Sequence, residues 1–416
     1  MLNLGSQARG RVYFVRGARQ LITLNGPVGP RRGADMARLN VIEDGSLLIA
    51  DGVISQVGST RRIENLHETR NAIEIDAAGH VVMPGFIDAD VHLGAVGEEA
   101  AEEEDEFRRD CHLWERRRTL PGRATQLSLH KALETLARHG TTLAECKWGF
   151  GVDESTDLKV LRTLGELNGR PIGVVRSYCA GARCGAPSEQ RSQHIEWLCG
   201  HMLPRVRARR LTEVVNLCFS SMCGGVGEEE KIAECVARYG WPLKAYASGC
   251  GISRGLEIGL RMGARCIEGL EGACIEHVQQ LARTETMAVV CPGGGGRHAP
   301  PARELLDAGA AVVLATGYYP HGIRTCNMQT AVALACRDWG FTPEEAITAA
   351  TWNAAYACGV ANRTGGLQYG KDADLIMLRI GDYRELQFAF GVNLVSLVMR
   401  RGVILYKDSK VYCPAE

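Results

Sequence analysis

The sequence predicts an α/β protein: a (β/α)8 TIM barrel with a small composite β-sandwich domain formed by both chain ends. Two observations support this fold class. Short apolar runs alternate with helix-like stretches through the middle of the chain, about eight times, and such alternation indicates a parallel sheet that closes into a barrel. The two ends of the chain instead carry closely spaced β-prone runs. We therefore place the barrel at residues 85–367 and the sandwich at residues 1–84 and 368–416.

The first 84 residues have the sequence pattern of a β-sheet. The β-prone runs 46–50 and 53–57 flank Asp51-Gly52, and Asp-Gly between two apolar runs is a strong signal for a two-residue hairpin turn. Residues 12–15 and 20–24 are further short runs of this kind. The runs at the other chain end lie at residues 374–378, 395–399 and 403–406. Both ends are therefore expected to supply strands to the smaller domain.

In the barrel segment, each apolar run follows a stretch with helical character. These strand-like runs lie at residues 141–145, 171–175, 214–219, 241–245, 264–268, 287–291 and 311–315. The active sites of such barrels lie at the C-terminal ends of the strands. The residues that end these runs, and those that directly follow them, are therefore the candidates for chemistry.

Composition excludes several classes of function. The 416 residues contain 48 basic and 48 acidic side chains, and a formal net charge of zero removes the electrostatic argument for nucleic acid or an anionic membrane surface. We expect no membrane span, because no uninterrupted apolar run reaches about 18 residues. Residues 1–12 lack the layout of a signal peptide. The 16 cysteines are then interpreted as reduced thiols of a cytoplasmic protein.

Two motifs resemble the amidohydrolase superfamily. Residues 84–93, Pro-Gly-Phe-Ile-Asp-Ala-Asp-Val-His-Leu, resemble its first barrel strand, and residues 370–375 resemble its return to the sheet domain. Segments between them resemble the imidazolonepropionases: residues 140–142, 149–153, 301–309, 341–346 and 350–355. The resemblance covers about residues 12–410. It implies a cytoplasmic homodimer related to enzymes that open an imidazolone ring by metal-assisted hydrolysis.

The resemblance also implies that the usual metal ligands are replaced. The first strand of the family carries His-x-His, where this chain has Asp90-Val91-His92. Tyr246 stands at the histidine of the fifth strand, Gly269 at the histidine of the sixth, and Gly317 at the aspartate of the eighth. We therefore expect no metal cofactor, although a weak zinc or iron site at Asp90 and His92 stays open, as does a displaced site that adds His298 and His321.

The substrate-facing positions of the family are altered as well. Arg183 stands where the family has a histidine after the third strand, and it joins Asp90, His92 and Tyr246 as a candidate catalytic residue. Arg297 follows four glycines, whose backbone N–H groups could help it bind a carboxylate, unless this is merely a flexible loop. The candidate substrate-binding residues are Phe150, Ser220, Arg297, His298 and His321.

Two functional hypotheses remain. In the first, the protein is a divergent enzyme that acts on a C–N bond of a small cyclic nitrogenous substrate without the usual metal site. In the second, it is a catalytically inactive relative that binds a small ligand or a partner subunit. In either case we expect a ligand with an acidic group, held by Arg183 and Arg297, whose charges Asp90 partly balances. We expect no useful turnover of imidazolonepropionate itself.

Several cysteines lie near the predicted strand ends, among them Cys146, Cys179, Cys266 and Cys291. Cysteine is one of the residue types most often buried, where it packs as a small hydrophobe. A nucleophilic thiol would need a cationic neighbour that lowers its pKa. We therefore interpret these thiols as packing residues.

Overall fold

The computed structural model describes residues 10–93, 120–149, 154–181, 188–219, 227–247, 252–293, 299–318, 325–408 and 410–412. Strands β1 to β5 span Val12–Ile22, Val41–Ala50, Val53–Ser59, Ile73–Asp76 and Val81–Pro84. Strands β6 to β13 span Phe86–Val91, Thr141–Gly149, Gly173–Ala180, Val214–Phe219, Leu243–Ala247, Cys266–Glu268, Met287–Val290 and Val312–Leu314. Strands β14 to β17 span Leu375–Leu378, Val395–Arg400, Val403–Lys407 and Lys410–Val411.

Helices fill the connections between these strands. Helices α1 to α6 span Thr60–Ile63, Gly122–Arg138, Glu154–Glu166, Ser188–Trp197, Leu203–Ala208 and Glu228–Arg238. Helices α7 to α12 span Ile252–Arg261, Ile275–Ala282, Ala302–Asp307, Met328–Trp339, Pro343–Thr348 and Ala354–Ala357. In the part of the chain that the structure describes, no helix combines the length and apolar composition that crossing a bilayer requires.

The two chain ends form one mixed sheet. Its strand order is β17-β16-β15-β14-β5-β1-β2-β3, with β4 paired to β1, so β5 of the N-terminal part joins β14 of the C-terminal part. Apolar side chains from both ends, such as Leu47 and Leu397, share one buried cluster. The predicted hairpin is confirmed: Ala50 pairs with Val53, and Asp51 and Gly52 have φ of 52° and 81°. Positive φ at both central residues is the requirement of a type I′ turn.

The predicted barrel is confirmed by an eight-stranded parallel sheet in the order β13-β12-β11-β10-β9-β8-β7-β6. Its two edge strands meet where Val91 pairs with Tyr318. The backbone N–H of His92 donates to the Tyr318 carbonyl at 2.8 Å. The first and last strands are therefore joined at the end of the barrel that carries the Asp90-Val91-His92 segment.

Local sequence signals explain where the helices begin. Helix α11 starts with a capping box: the Thr342 hydroxyl accepts from the Glu345 N–H at 3.2 Å, and Glu345 Oε2 accepts from the Thr342 N–H at 2.9 Å. Pro343 occupies the first helical position, where its missing N–H costs nothing. In α2, Leu129, Leu133 and Leu136 are buried at helical spacing.

The centre of the barrel departs from an ordinary hydrophobic core. Such cores are dominated by Val, Ile and Leu. Here several strands carry polar or charged side chains that are at most 6% exposed: Asp88, Asp90, Glu145, Lys147, Asn216, Lys244 and Glu268. Burying a charged group costs free energy unless the group is paired. These buried residues therefore mark the candidate functional site.

Candidate functional site

Two carboxylates enter the site from β6, and a β-bulge gives them different surroundings. Asp88 pairs in register with Ala144 and Val91 with Cys146, so β6 contains an extra residue between Asp88 and Val91. Asp88 contacts Thr316, which follows β13, whereas Asp90 contacts Lys147 of β7 and Cys291, which follows β12. The bulge therefore directs the two side chains to different tasks.

Lys147 of β7 connects Asp90 to the far side of the barrel. Its Nζ lies 2.7 Å from Asp90 Oδ1 and also contacts Glu268 Oε2 of β11. The Lys147 and Glu268 side chains are each 1% exposed. Asn216 of β9 donates from Nδ2 to the same Glu268 oxygen at 2.7 Å. One ammonium group thus bridges carboxylates from the first and sixth strands of the barrel.

A second ammonium group lies beside the first. Lys244 Nζ is 2.5 Å from Glu145 Oε2 and 3.7 Å from Glu268 Oε1, and the Lys244 and Glu145 side chains are fully buried. We name Asp90, Glu145, Lys147, Lys244 and Glu268 the ionic cluster. Its members occupy four strands, so it is assembled by the closure of the barrel.

The charged groups of the ionic cluster shift one another's pKa values. Burial alone would raise the pKa of Asp90, but the Lys147 ammonium and His92 together hold that pKa below its usual range. Burial alone would lower the pKa of Lys147, but Asp90 and Glu268 raise it well above the ordinary value. Burial raises the pKa of Glu145 against the opposing effect of Lys244. Asp90 and Lys147 are therefore an ionised pair at neutral pH.

His92 is the more exposed end of this arrangement. Its Nε2 lies 3.3 Å from Asp90 Oδ1, and its side chain is 24% exposed, compared with 9% for Asp90. A buried carboxylate beside an imidazole fixes the orientation of the ring, as in catalytic triads. Because His92 follows β6 directly, the pair lies at the barrel end where such folds carry their active sites.

Tyr246 and Gly269 occupy one space between neighbouring strands. An added Cβ on Gly269 would lie 2.9 Å from Cε2 of Tyr246 and 2.8 Å from the Ala247 carbonyl oxygen. Gly269 also has a φ of 72°, in the left-handed region that favours glycine. The tyrosine ring and the Ala247 carbonyl therefore leave no room for a larger side chain at position 269.

We expect Gly269→Ala to lower the free energy of unfolding more than Gly263→Ala does. Gly263 is a matched control, because its φ of 66° imposes similar strain while an added Cβ would meet nothing within 4 Å. Each variant includes a backbone cost of about 1–2 kcal/mol, but only Gly269→Ala adds the contacts with Tyr246 and Ala247. Urea unfolding of both variants measures the difference. Equal losses would show that Tyr246 does not restrict this position.

Asp88 anchors the end of β13. Its Oδ1 accepts from the Thr316 N–H at 3.0 Å and its Oδ2 from the Thr316 hydroxyl at 2.5 Å. Burial raises the pKa of Asp88 to about 7, against these hydrogen bonds, which favour the ionised form. The backbone that follows, at Gly317, has a φ of 62°. Asp88 thereby fixes the turn formed by Thr316 and Gly317.

The raised pKa of Asp88 predicts a pH-dependent stability. Folding raises it from 3.8 to about 7, so between these pH values the folded protein keeps a proton that the unfolded chain loses. The contribution is complete below pH 3.8 and falls as the pH rises to about 7, by up to about 1.4 kcal/mol per pH unit. Asp88→Asn should remove this fall, measured by urea unfolding across the range. An unchanged pH profile in the variant would contradict the assignment.

The described residues do not fit the metal site of the family. In the described ranges, no three His, Cys, Asp or Glu side chains are placed to hold a metal ion. The ammonium of Lys147 already lies beside Asp90, and a divalent cation bound there would be repelled by it at close range. Gly269 and Gly317 offer no side-chain donor. No catalytic step is therefore assigned to a metal.

The structure brings some predicted residues together and leaves others undescribed. Asp90 and His92 are in contact, and Tyr246 lies beside Gly269 on the neighbouring strands. The charge of Asp90 is matched by Lys147. Arg183 and Arg297, which Asp90 is expected to balance in part, are not among the described residues. The other predicted site residues lie outside the described residues: Phe150, Arg183, Ser220, Arg297, His298 and His321.

Sequence reasoning missed Lys147, Glu145, Asn216, Lys244 and Glu268 as site residues. A signal for two of them was present: Glu145 and Lys147 stand at alternate positions in a strand that is otherwise apolar or small. Strands of a parallel barrel are buried on both faces, so charges within them require partners. The pattern indicates buried ions but does not identify which strand supplies each partner.

The interpretation of the thiols as packing residues agrees with the burial of Cys146, Cys179 and Cys266. Burial raises the pKa of Cys146, Cys266 and Cys291 above the ordinary thiol value. A hydrogen bond with Cys218 and burial do the same for Cys179. Cys291 Sγ donates to Asp90 Oδ2 at 3.8 Å. These groups are therefore neutral thiols rather than thiolate nucleophiles.

Comparison with solved structures supports the fold. Guanine deaminase of E. coli superposes with a TM-score of 0.73 at 14% identity, covering 96% of this chain and 100% of that one. A zinc-bound adenosine deaminase of Xanthomonas campestris gives a TM-score of 0.70 at 16% identity, covering 96% of this chain and 94% of that one. At such low identity the likeness concerns the fold alone.

Comparison with other sequences identifies the family. The pattern of the Amidohydrolase family matches residues 250–405. The imidazolonepropionase of Parabacteroides distasonis is 30% identical, over 94% of this chain and 97% of its own length. That of Symbiobacterium thermophilum is 32% identical, over 96% of this chain and 98% of its own length. The chain therefore belongs to the amidohydrolase family and is similar over nearly its whole length to imidazolonepropionases.

Proposed function

We propose that the protein is a divergent hydrolase that cleaves a C–N bond of a small cyclic nitrogenous substrate without the usual metal. The observation that carries this proposal is the Asp90–His92 pair at 3.3 Å, placed at the end of the first barrel strand. Lys147 keeps Asp90 ionised, so the pair has the electrostatics of a base and its orienting carboxylate.

The proposed reaction uses His92 as a general base. The imidazole takes a proton from water, and the resulting hydroxide adds to the ring carbon bonded to nitrogen. The C–N bond then breaks with its electron pair on nitrogen, and the imidazolium returns the proton to that nitrogen. Asp90 stabilises the imidazolium, and Lys147 acts as a positioning residue because it touches Asp90 rather than the substrate.

The substrate class follows from the relatives and from the predicted anion-binding residues. The similar curated proteins are named imidazolonepropionases, which supports a small nitrogen ring as the reacting group. Arg183 follows β8 and Arg297 follows β12, and the ends of these strands lie at the active face of such barrels. We propose that they bind an acidic group of the substrate. A homodimer in the cytoplasm that binds neither nucleic acid nor membrane remains part of the proposal.

A hydrolysis screen tests the proposal. Cyclic amides and imidazolones that carry a carboxylate are incubated with wild-type protein in the presence of a chelator, and ring opening is followed by absorbance. We expect turnover of at least one compound. We expect none of useful rate for imidazolonepropionate, because by the resemblance Gly317 stands at the family's aspartate base and Arg183 at its histidine, and most of its metal ligands are replaced. The double variant Arg183→Ala/Arg297→Ala should raise the KM. Activity that appears only when metal is added would overturn the proposal.

A second candidate function is ligand binding without catalysis. The observation in its favour is that both ammonium groups of the ionic cluster are already paired with carboxylates, as in a purely structural network. The same screen separates the two functions. A binding protein would be stabilised against heat by a carboxylate compound without consuming it, and His92→Ala would leave that stabilisation unchanged.

A further inference from the structure

We propose that the Lys147 ammonium stands in for a metal ion in this barrel, so that removing this one side chain opens a latent divalent-cation site formed by Asp90, His92 and Glu268. The inference concerns charge and packing, and it stands whether or not the protein is catalytic.

The Lys147 ammonium lies where a metal ion could join carboxylates from two barrel strands. Lys147 Nζ contacts Asp90 of the first barrel strand and Glu268 of the sixth, although Lys147 itself belongs to the second. A positive group between these strands neutralises the two carboxylates, as a bound metal cation would. Asp90 occupies a ligand position of the family, and Glu268 directly precedes another at Gly269.

The neighbours of the ammonium are suitable donors. Carboxylate oxygens and an imidazole nitrogen are ligands of zinc and related ions. His92 Nε2 lies 3.3 Å from Asp90 Oδ1, and Asn216 Nδ2 holds Glu268 Oε2 at 2.7 Å. In the described ranges no three such donors are placed to hold a metal ion. We attribute this to their arrangement around an ammonium group. Metal–oxygen bonds of about 2.0–2.2 Å require them to move inward.

The charges left after removal of Lys147 favour this movement. Asp90 and Glu268 would lose their shared counter-ion, and Lys244, 3.7 Å from Glu268 Oε1, would remain paired mainly with Glu145. Two buried carboxylates without a counter-ion bind a cation, take up a proton or destabilise the fold, and a divalent cation compensates both charges at once. The space of the lost side chain gives a small ion room to enter.

The experiment titrates Co²⁺ into full-length protein and follows metal content, visible absorption and melting temperature. Lys147→Ala should bind about one Co²⁺ per chain and be stabilised by it. Wild-type protein and Lys147→Arg, which keeps the positive charge, should bind none. Lys147→Ala/Asp90→Asn should lose the binding, which ties the site to Asp90 rather than to a surface histidine.

Lys147→Gln provides a second test, because it removes the charge and keeps hydrogen-bonding capacity. If neither variant folds alone, refolding with Co²⁺ should restore the fold. Stoichiometric binding by wild-type protein would overturn the proposal. Folded Lys147→Ala and Lys147→Gln that take up no metal would overturn it as well, and so would failure of Co²⁺ to restore unfolded variants.

Discussion

Replacing His92 with alanine is expected to lower the rate of C–N hydrolysis by about 10²- to 10⁴-fold, the usual contribution of a general base. His92 is the exposed partner of the Asp90 carboxylate, and no other group is assigned to accept the proton from water. Steady-state kinetics on a substrate found by the hydrolysis screen measure the loss. Free imidazole should restore part of the rate, because alanine leaves space for it beside Asp90.

His130 is a matched control for this substitution. Its side chain is also 24% exposed and lies 3.7 Å from a carboxylate, Glu134, but both residues belong to helix α2. His130→Ala should therefore keep the wild-type rate. If His92→Ala also kept it, or if both variants lost the same amount, the proposed role of His92 as the base would be wrong.

Replacing Lys147 with methionine is expected to lower the free energy of unfolding by about 3–5 kcal/mol, because it leaves a buried carboxylate pair without its counter-ion. Methionine is unbranched and only one heavy atom shorter than lysine, so the loss reports mainly the missing charge rather than a cavity. The Lys147 and Glu268 side chains are both 1% exposed, so water cannot solvate the carboxylates that lose their counter-ion. Urea unfolding in metal-free buffer gives the value.

The control for this prediction removes the partners as well. In the triple variant Asp90→Asn/Lys147→Met/Glu268→Gln, no uncompensated charge remains, and most of the stability should return. A single variant Lys147→Met that lost less than about 1 kcal/mol, the value of a surface ion pair, would show that Lys147 does not hold the cluster together.

The fold could be predicted from sequence where local signals decide the structure. The Asp51-Gly52 turn demands positive φ, and the structure has it at these two residues. The prediction was less accurate where the pairing of two strands is irregular. Residues 12–15 and 20–24 were expected as two runs, but residues 12–15 and 20–22 belong to one strand, Val12–Ile22, whose register shifts between Val15 and Ala18. Gly17, with a φ of 70°, interrupts the apolar pattern within the strand.

The candidate site could be predicted only in part. Asp90 and His92 were found because they stand in a motif. The partner of Asp90 was not, because Lys147 and Glu268 are paired by the register of the closed barrel and not by their spacing in the chain. At position 269 the sequence alone shows only a glycine where the family has a histidine. Its dependence on Tyr246 becomes visible only when the two strands lie side by side.

The central claim is that the positive charge at the active end of this barrel belongs to Lys147 and not to a metal. Elemental analysis of wild-type protein, expressed in metal-supplemented medium and purified without chelator, tests it most directly. We predict well under about 0.1 zinc, iron or manganese per chain, since the part of the chain that the structure describes presents no set of three metal-binding side chains. About one metal ion per chain, lost in Asp90→Ala, would contradict the account.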